Sequence, residues 1–269
     1  MSTSPFTVRA SSWGRLFDCA HAWEGTHLLG MRKASGMRAQ LGTAVHAGTA
    51  AFDLARLNGE VCTADDAAGA ALDELHNPDR EIDMSQDGLS LADAERIALV
   101  LITRYCLEVA PKLVYVDVET KLDPLEIDCG HGIQIRLTGT MDRGRVAEAE
   151  GGVTVTDHKT GARAIQDGKA STRGHAAQTG TYQLMYEHTK GVRTIGAQIL
   201  ALSTGSKSGD IALSPIFDAR RVMVGDEGRP GLIEHAAAMF RTGMFPPNPS
   251  SVLCSPKYCA RWSTCLFKG

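Results

Sequence analysis

The stretch from Thr138 to Ala164 constrains the fold of this chain more than any other. It predicts two neighbouring β-strands separated by a turn at residues 150–152. Residues 153–156, Val-Thr-Val-Thr, are β-branched and favour the second strand. Apolar residues recur with a period near two along the first strand, as a half-buried strand requires, and these are Ile133, Ile135, Leu137 and Met141.

Three charged residues fall on this predicted strand pair. Asp142 lies in the first strand, and Asp157 and Lys159 lie at the end of the second. Because Asp157 and Lys159 are two residues apart, their side chains project from the same face of the strand. Two carboxylates and an ammonium group can hold a hard divalent cation beside a positive charge, a combination that suits phosphodiester hydrolysis.

The pattern is specific enough to suggest a family. The segments Gly-Thr-Met-Asp-Arg, ending at Arg143, and Asp-His-Lys-Thr-Gly, beginning at Asp157, resemble the PD-(D/E)xK nuclease superfamily in its RecB-like form. Gln178 and Tyr182 resemble the Gln-x-x-x-Tyr helix of that family, and Gly42 with His46 resembles its Gly-x-x-x-His helix. The resemblance implies an α/β fold, with a restriction-endonuclease-like core in which helices flank a mixed central sheet. An N-terminal helical region and a C-terminal cysteine-rich segment would complete it.

The same resemblance implies the residues of the site. The expected catalytic residues are Asp142, Asp157, Lys159, Gln178 and Tyr182. The expected ligands of Mg²⁺ or Mn²⁺ are His46, Asp142, Asp157 and the main-chain carbonyl of His158. Glu119 has two interpretations, an acid beside the metal or a surface carboxylate paired with a lysine. A histidine taken alone on an apolar helix is more often a core residue, so only the companion motifs favour His46 as a ligand.

Composition bounds the class of protein. The chain of 269 residues is 43% hydrophobic and 22% charged, as in an ordinary globular protein. Its net charge of −3 gives no global basic signature, so nucleic-acid binding must use local patches. The basic residues that could follow a phosphate backbone, or else form a solvated face, are Arg143, Arg145, Arg163, Lys169 and Arg173.

The chain shows no sign of secretion or of a membrane span. No apolar run approaches the roughly 20 residues that a spanning helix needs. The N-terminal residues lack the charged start and apolar centre of a secretory signal, so we expect a cytoplasmic protein.

Periodicity and breakers predict a single nuclease domain in three parts. Residues 1–112 are mainly helical, residues 113–217 form the catalytic sheet, and residues 218–269 contain a helix and a cysteine cluster. The predicted strands beyond the central pair cover residues 113–122, 125–127, 193–202 and 209–217. The predicted helices begin near Ser11 and then cover residues 42–57, 64–75, 90–109, 175–190 and 220–242.

The cysteines form the second informative pattern. Three of the seven, Cys254, Cys259 and Cys265, lie in a short C-terminal segment that cannot bury much apolar surface. A metal centre would order such a segment. Resemblance to iron–sulfur members of the family implies Cys19 as the fourth ligand and a [4Fe–4S] cluster. Four thiolates suit tetrahedral zinc equally well by ligand type, and the spacing departs from the Cys-x-x-Cys of several relatives.

These patterns predict metal-dependent hydrolysis of DNA, most simply by an exonuclease. The setting would be recombination, repair, CRISPR adaptation or phage DNA metabolism. A helicase, an annealing protein or a CRISPR adaptation protein are the expected partners. One alternative is a non-catalytic subunit that binds DNA ends, although such a subunit has no need for Asp142, Asp157 and Lys159 together. Another is a zinc-ribbon interaction protein with a fortuitous Asp-x-Lys, which leaves Cys19 unexplained.

Overall fold

A five-stranded mixed sheet lies at the centre of the computed structural model, which describes residues 4–147 and 151–268. The twelve strands, in chain order, are β1 (Phe6–Arg9), β2 (Ser35–Gly36), β3 (Ile82–Asp83), β4 (Val114–Lys121), β5 (Leu125–Asp128), β6 (Gln134–Thr138), β7 (Thr140–Ala147), β8 (Gly152–Gly161), β9 (Ile165–Gln166), β10 (Lys169–Ala170), β11 (Gly196–Ser203) and β12 (Ile211–Leu213) among the described residues. The central sheet has the order β12-β11-β8-β7-β4. Its only parallel pair in the described residues is β8 with β11, so it is mixed, as predicted.

Eight α-helices surround this sheet in the described residues. They are α1 (Trp13–Asp18), α2 (Ala20–His27), α3 (Met37–Asn58), α4 (Ala64–His76), α5 (Leu91–Arg104), α6 (Ala176–Lys190), α7 (Arg220–Val224) and α8 (Leu232–Thr242). A π-helical turn at Tyr105–Val109 extends α5. Across residues 4–147 and 151–268, no helix combines the length and the apolar character that crossing a membrane requires.

Local sequence explains where several helices begin and end. Thr63 accepts a hydrogen bond from the amide of Asp66, whose carboxylate returns to the Thr63 amide, and this capping box starts α4. Ser90 caps α5 by accepting a hydrogen bond from the Asp93 amide. Gly59 ends α3 with φ at +73°, a left-handed conformation that glycine adopts without a side-chain clash.

Helices cover both faces of the sheet, and each face has its own apolar core. On one side α3, α4 and α5 pack against apolar residues of β4 and β11, among them Val118 and Leu200. On the other side α1, α2, α6 and α8 enclose Met141 and Val155 of the sheet. The central strands are thus buried on both faces, and polar groups that lie on them must find partners inside the protein.

Two predicted elements are broken in the structure. The sequence predicts one strand over residues 133–141, but Gly139 separates β6 from β7. β6 joins a second sheet of order β1-β6-β5, and β7 joins the central one. The predicted helix over residues 220–242 is likewise divided into α7 and α8. Gly225, at φ +74°, packs against the backbone of Arg229 and Gly231, and this turn prevents a continuous helix.

The remaining boundaries differ by a few residues. The predicted helix at residues 42–57 begins earlier, at Met37. The strand predicted for residues 209–217 is regular only over Ile211–Leu213, followed by an isolated pairing of Phe217 with Ala197. Glu150, which contributes to the predicted turn, lies outside the described residues.

Candidate active site

The candidate site lies where β7 and β8 separate. Their antiparallel pairing ends with Arg143 opposite Thr156, whereas β8 continues beside β11 as far as Gly161. Asp142 and Asp157 are therefore the first residues past the end of the β7–β8 ladder. The end of β8 that carries Asp157 and Lys159 keeps one edge free of strand pairing in the described residues, which leaves space for a ligand.

A group of atoms that could together hold a metal ion, here called the metal-ligand group, lies on the β7 side of this opening. One ligand atom each from His46, Glu119 and Asp142 falls within 4.8 Å of the others. His46 Nδ1 is 3.6 Å from Asp142 Oδ2. Their side chains are 29%, 35% and 11% exposed, so solvent and substrate can reach the group. Two carboxylates with one imidazole suit Mn²⁺ or Mg²⁺ by ligand type.

Close packing of α3 against β8 brings His46 to the site. A Cβ atom on Gly42 would lie 2.8 Å from Thr160 Oγ1, so any larger residue would require the Thr160 side chain or the helix to shift. Gly42 and His46 are four residues apart and therefore occupy one face of α3. The glycine allows the helix to approach, and the histidine then reaches the opening.

Asp157, Lys159 and Gln178 form the second half of the site. Lys159 Nζ lies 2.6 Å from Asp157 Oδ2 and donates a hydrogen bond of 3.0 Å to Gln178 Oε1. Gln178 Nε2 donates to Asp157 Oδ1 and to the Tyr182 hydroxyl, both at 3.3 Å. Gln178 is a polar residue on a face of α6 that otherwise carries tyrosines. This network explains its position there, because both polar atoms of its side-chain amide have a hydrogen-bond partner.

Asp157 is the most strongly perturbed carboxyl of the site. It is 1% exposed, and burial raises its pKa to about 6, with Lys159 opposing and Asp142 adding to the effect. Lys159 forms an ion pair with Asp157 Oδ2. Among the described residues, no group donates a hydrogen bond to that oxygen. A buried carboxylate oxygen in this condition is suited to a cation.

His158 contributes its backbone to the site, while its ring lies in the core. Its amide donates to Asp142 Oδ2 at 2.7 Å. The N–H and C=O of one strand residue point toward the same edge, so the His158 carbonyl also faces the β7 side. The imidazole is 1% exposed beside Tyr105 and Tyr115, and burial lowers its pKa well below the ordinary value.

A buried charged network supports the metal-ligand group from behind. Arg143 is 0% exposed and forms an ion pair of 2.7 Å with Asp53, which also accepts from the Tyr105 hydroxyl. The same guanidinium donates to Glu119 Oε1 at 2.9 Å and to the carbonyl of Asp142 at 2.8 Å. Arg143 thus links α3, β4 and β7 directly behind the metal-ligand group.

The prediction that Arg143 contacts DNA is wrong, because its guanidinium is fully enclosed by these partners. Arg145 is half-buried, and its Nε donates to Gln198 Oε1 at 2.8 Å within the sheet. The other three predicted contacts, Arg163, Lys169 and Arg173, are exposed on the loop and hairpin that follow β8. A role in DNA binding stays a prediction for those three.

Sequence reasoning missed part of this site. It left Glu119 evenly divided between two interpretations, yet the carboxylate belongs to the metal-ligand group. The φ of Glu119, +44°, is rare for a residue with a side chain, and such strain concentrates at functional sites. Asp53 did carry a signal, because it follows His46 by seven residues and so lies on the same face of α3.

The four cysteines predicted to act together line one small cavity between the chain ends. These are Cys19, Cys254, Cys259 and Cys265, and none of the seven cysteines forms a disulfide. The amide of Asn248 donates to Cys19 Sγ at 3.4 Å, and the Asn248 side chain donates to the carbonyl of Asp18 at 3.0 Å. The cavity joins the start of α2 to the C-terminal segment, so a group bound there would fasten the two ends together.

The fold and the site define the class of protein: an α/β fold with a mixed sheet, whose open edge carries acidic residues and a lysine. The chain belongs to the PD-(D/E)XK nuclease superfamily, whose family model matches residues 10–266. The predicted superfamily and fold are therefore confirmed. Membership indicates a nuclease, in a superfamily whose members usually depend on a divalent metal. No curated protein matches the chain.

Proposed function

We propose that this protein is a Mg²⁺- or Mn²⁺-dependent deoxyribonuclease of the RecB-like branch that degrades DNA from an end. One observation carries the proposal. His46, Glu119 and Asp142 converge on one side of the opened strand pair, and the Asp157–Lys159–Gln178 network lies on the other. The His158 amide bonded to Asp142 joins the two halves.

The residues that would hold the cation are His46, Glu119, Asp142, Asp157 and the carbonyl of His158. A divalent cation bound there would supply Lewis-acid chemistry, polarising the scissile phosphate and lowering the pKa of a water. Lys159 then places a positive charge where negative charge develops on the phosphate oxygens, and its ammonium group can orient the attacking water. Gln178 holds Lys159 and Asp157 in position through hydrogen bonds to both side chains. Its amide also donates to the Tyr182 hydroxyl, which fixes Gln178 in turn.

Cleavage assays test this proposal. DNA labelled at the 5′ or 3′ end, single- or double-stranded, is incubated with Mg²⁺ or Mn²⁺. We expect products released from an end by the wild-type protein. Asp157→Ala and Lys159→Ala should abolish cleavage but retain DNA binding, while Lys207→Ala, in an exposed turn, serves as the control. Full metal-dependent cleavage by both site variants would refute the proposed site, and products without end dependence would indicate an endonuclease.

The cysteine cavity forms a separate part of the proposal. We assign a [4Fe–4S] cluster to Cys19, Cys254, Cys259 and Cys265, with structural zinc as the alternative. The hydrogen bond from the Asn248 amide to Cys19 Sγ supports this assignment, since such bonds to sulfur accompany metal centres of this kind. Absorption spectra and metal analysis of anaerobically purified protein decide between the two. A brown protein bleached by Cys259→Ala supports the cluster, whereas a colourless protein with stoichiometric zinc reverses the assignment.

The proposal extends to the biological setting. Recombination, repair, CRISPR adaptation and phage DNA metabolism all use nucleases of this kind. A helicase, an annealing protein or a CRISPR adaptation protein would be the corresponding partner.

A further inference from the structure

A second groove, of about 350 Å³, opens beside the candidate active site. It lies where Gly139 separates β6 from β7, and Arg9 at the end of β1 and Lys121 at the end of β4 stand at its rim. The described residues that line it include no aspartate or glutamate. Its volume is in the range of pockets that bind small ligands or a segment of a polymer.

The two basic side chains at this groove have no acidic partner. Among the described residues, neither Arg9 nor Lys121 forms an ion pair, and both are exposed. Many arginines elsewhere in the chain are paired, as Arg136 is with Glu126. The pKa of His27 is lowered mainly by burial and further by the positive charge of Arg9. The second contribution is what a locally positive potential produces. In a chain of net charge −3, this groove is a local site for an anion.

Hydroxyl groups add hydrogen-bond donors to the positive charge. Ser11, Thr138 and Thr140 line the groove. None of their hydroxyls has a hydrogen-bond partner within the part of the chain that the structure describes. Guanidinium, ammonium and hydroxyl groups together are the donors that proteins use for phosphate oxygens.

The groove adjoins the candidate active site, with which it shares Tyr182. Lys121 pairs with Thr140 across β4 and β7, and Thr140 precedes Asp142 by two residues on β7. Two residues along a strand span about 7 Å, so the groove and Asp142 are near neighbours on β7. Tyr182 closes the other side, because its ring lines the groove while its hydroxyl accepts from Gln178. A DNA strand that lies in the groove therefore runs close to the acidic residues.

We infer that this groove, with Arg9 and Lys121 as its charged contacts, binds a phosphate of the DNA strand next to the one that is cleaved. The inference rests on the proposed nuclease function and identifies how that site would hold its substrate. The shared chemistry is a phosphate group, which an internal phosphodiester or a terminal 5′-phosphate can supply.

DNA binding is measured by fluorescence anisotropy in the Asp157→Ala background, in which DNA is not cut. DNA cleavage is measured in the otherwise wild-type protein. Arg9→Gln and Lys121→Gln are compared singly and together. Lys112→Gln is the matched control, because Lys112 is exposed, has no ion-pair partner in the described residues and lies at the opposite end of β4. The DNA carries either a 5′-phosphate or a 5′-hydroxyl, and salt is varied.

We expect the double variant to bind DNA about tenfold more weakly at moderate salt. The slope of log affinity against log salt should fall by about one for each basic residue removed. Cleavage should show a raised KM with little change in kcat, and Lys112→Gln should match its parent. A loss confined to 5′-phosphorylated DNA identifies the terminal phosphate, and an equal loss on both ends identifies an internal phosphodiester.

The result that overturns the inference is unchanged affinity and salt slope in the double variant. The nuclease proposal has a separate outcome. If the wild-type protein binds DNA without cleaving it, and the double variant binds more weakly, the groove stands and the nuclease proposal fails. If wild-type protein neither binds nor cleaves DNA, both are overturned.

Discussion

At the scale of single residues, Asp157 shows how burial sets the chemistry of the site. Its carboxyl is almost fully enclosed, and its pKa is raised to about 6 in spite of the adjacent Lys159. In the unfolded chain the pKa returns to about 3.9. The folded protein therefore holds this proton more tightly than the unfolded chain does, and ionising the group costs stability unless a cation compensates it.

Replacing Asp157 with asparagine should consequently stabilise the metal-free protein in a pH-dependent way. The stability that protonated Asp157 contributes to the wild-type fold is fully present below a pH of about 4 and is lost as the pH rises through about 6. Across that pH range, the free energy of unfolding of Asp157→Asn should therefore increase relative to that of the wild type. The gain is about 1.4 kcal/mol for each unit of difference between the two pKa values. Urea denaturation in EDTA at several pH values measures it.

The metal provides the control for that experiment. Mn²⁺ should stabilise the wild type at neutral pH through binding to the folded state, and Asp157→Asn should gain less. A difference in unfolding free energy that stays constant between pH 4 and 7 would show that burial does not perturb this carboxyl.

At the scale of elements, α3 positions the site against β8. Gly42 permits the close approach, His46 reaches the metal-ligand group, and Asp53 pairs with Arg143 of β7. The helix thus contributes one member of the metal-ligand group directly and supports another through the buried ion pair.

Substituting Gly42 with alanine should move α3 away from β8. The added Cβ would lie 2.8 Å from Thr160 Oγ1, and the shift displaces His46. We expect Mn²⁺ affinity, measured by calorimetry, to fall about tenfold, which corresponds to about 1.4 kcal/mol. The double variant Gly42→Ala/Thr160→Ala should recover much of the lost Mn²⁺ affinity, because the Thr160 hydroxyl that opposes the added Cβ is absent.

Gly69→Ala in α4 is the control for that substitution. A Cβ atom at Gly69 would meet nothing within 4 Å, so alanine should stabilise the helix by up to about 1 kcal/mol without moving it. Equal metal affinity in Gly42→Ala and Gly69→Ala would contradict the role of Gly42.

Removing the carboxylate of Asp53 should destabilise the protein strongly. Asp53→Ala leaves the enclosed Arg143 without its main counter-charge, and breaking a buried ion pair in this way costs about 3–5 kcal/mol. Glu126→Ala is the matched control, because its partner Arg136 is exposed and such pairs contribute about 1 kcal/mol or less. Chemical denaturation compares the two. Similar small losses in both variants would mean that water or Glu119 compensates Arg143.

At the scale of the whole molecule, the two ends of the chain meet beside the nuclease core. Asp18 accepts from Ser251 and Asn248, and Arg261 forms an ion pair of 3.0 Å with Glu24. These hydrogen bonds and this ion pair are partly exposed, so they contribute little stability by themselves.

Cys259→Ala should therefore release the C-terminal segment while leaving the central sheet intact. Residues 246–268 and helices α1 and α2 should lose hydrogen-exchange protection, and β7, β8 and β11 should retain it. Cys62→Ala, at a half-buried thiol outside the cavity, is the control. Unchanged protection of the C-terminal segment in Cys259→Ala would show that the polar contacts suffice to hold the ends together.

The sequence by itself determined the strand pair, the Asp-x-Lys spacing, the Gly-x-x-x-His helix and the superfamily. These are local patterns, since side-chain direction follows from the periods of strands and helices. It could not determine that Arg143 is buried, that Glu119 joins the metal-ligand group, or that Gly139 divides two sheets and opens a basic groove. Burial and charge compensation depend on neighbours that are distant in sequence, such as Asp53 at 90 positions from Arg143. Only the packing of α3, β4 and β7 against one another decided them.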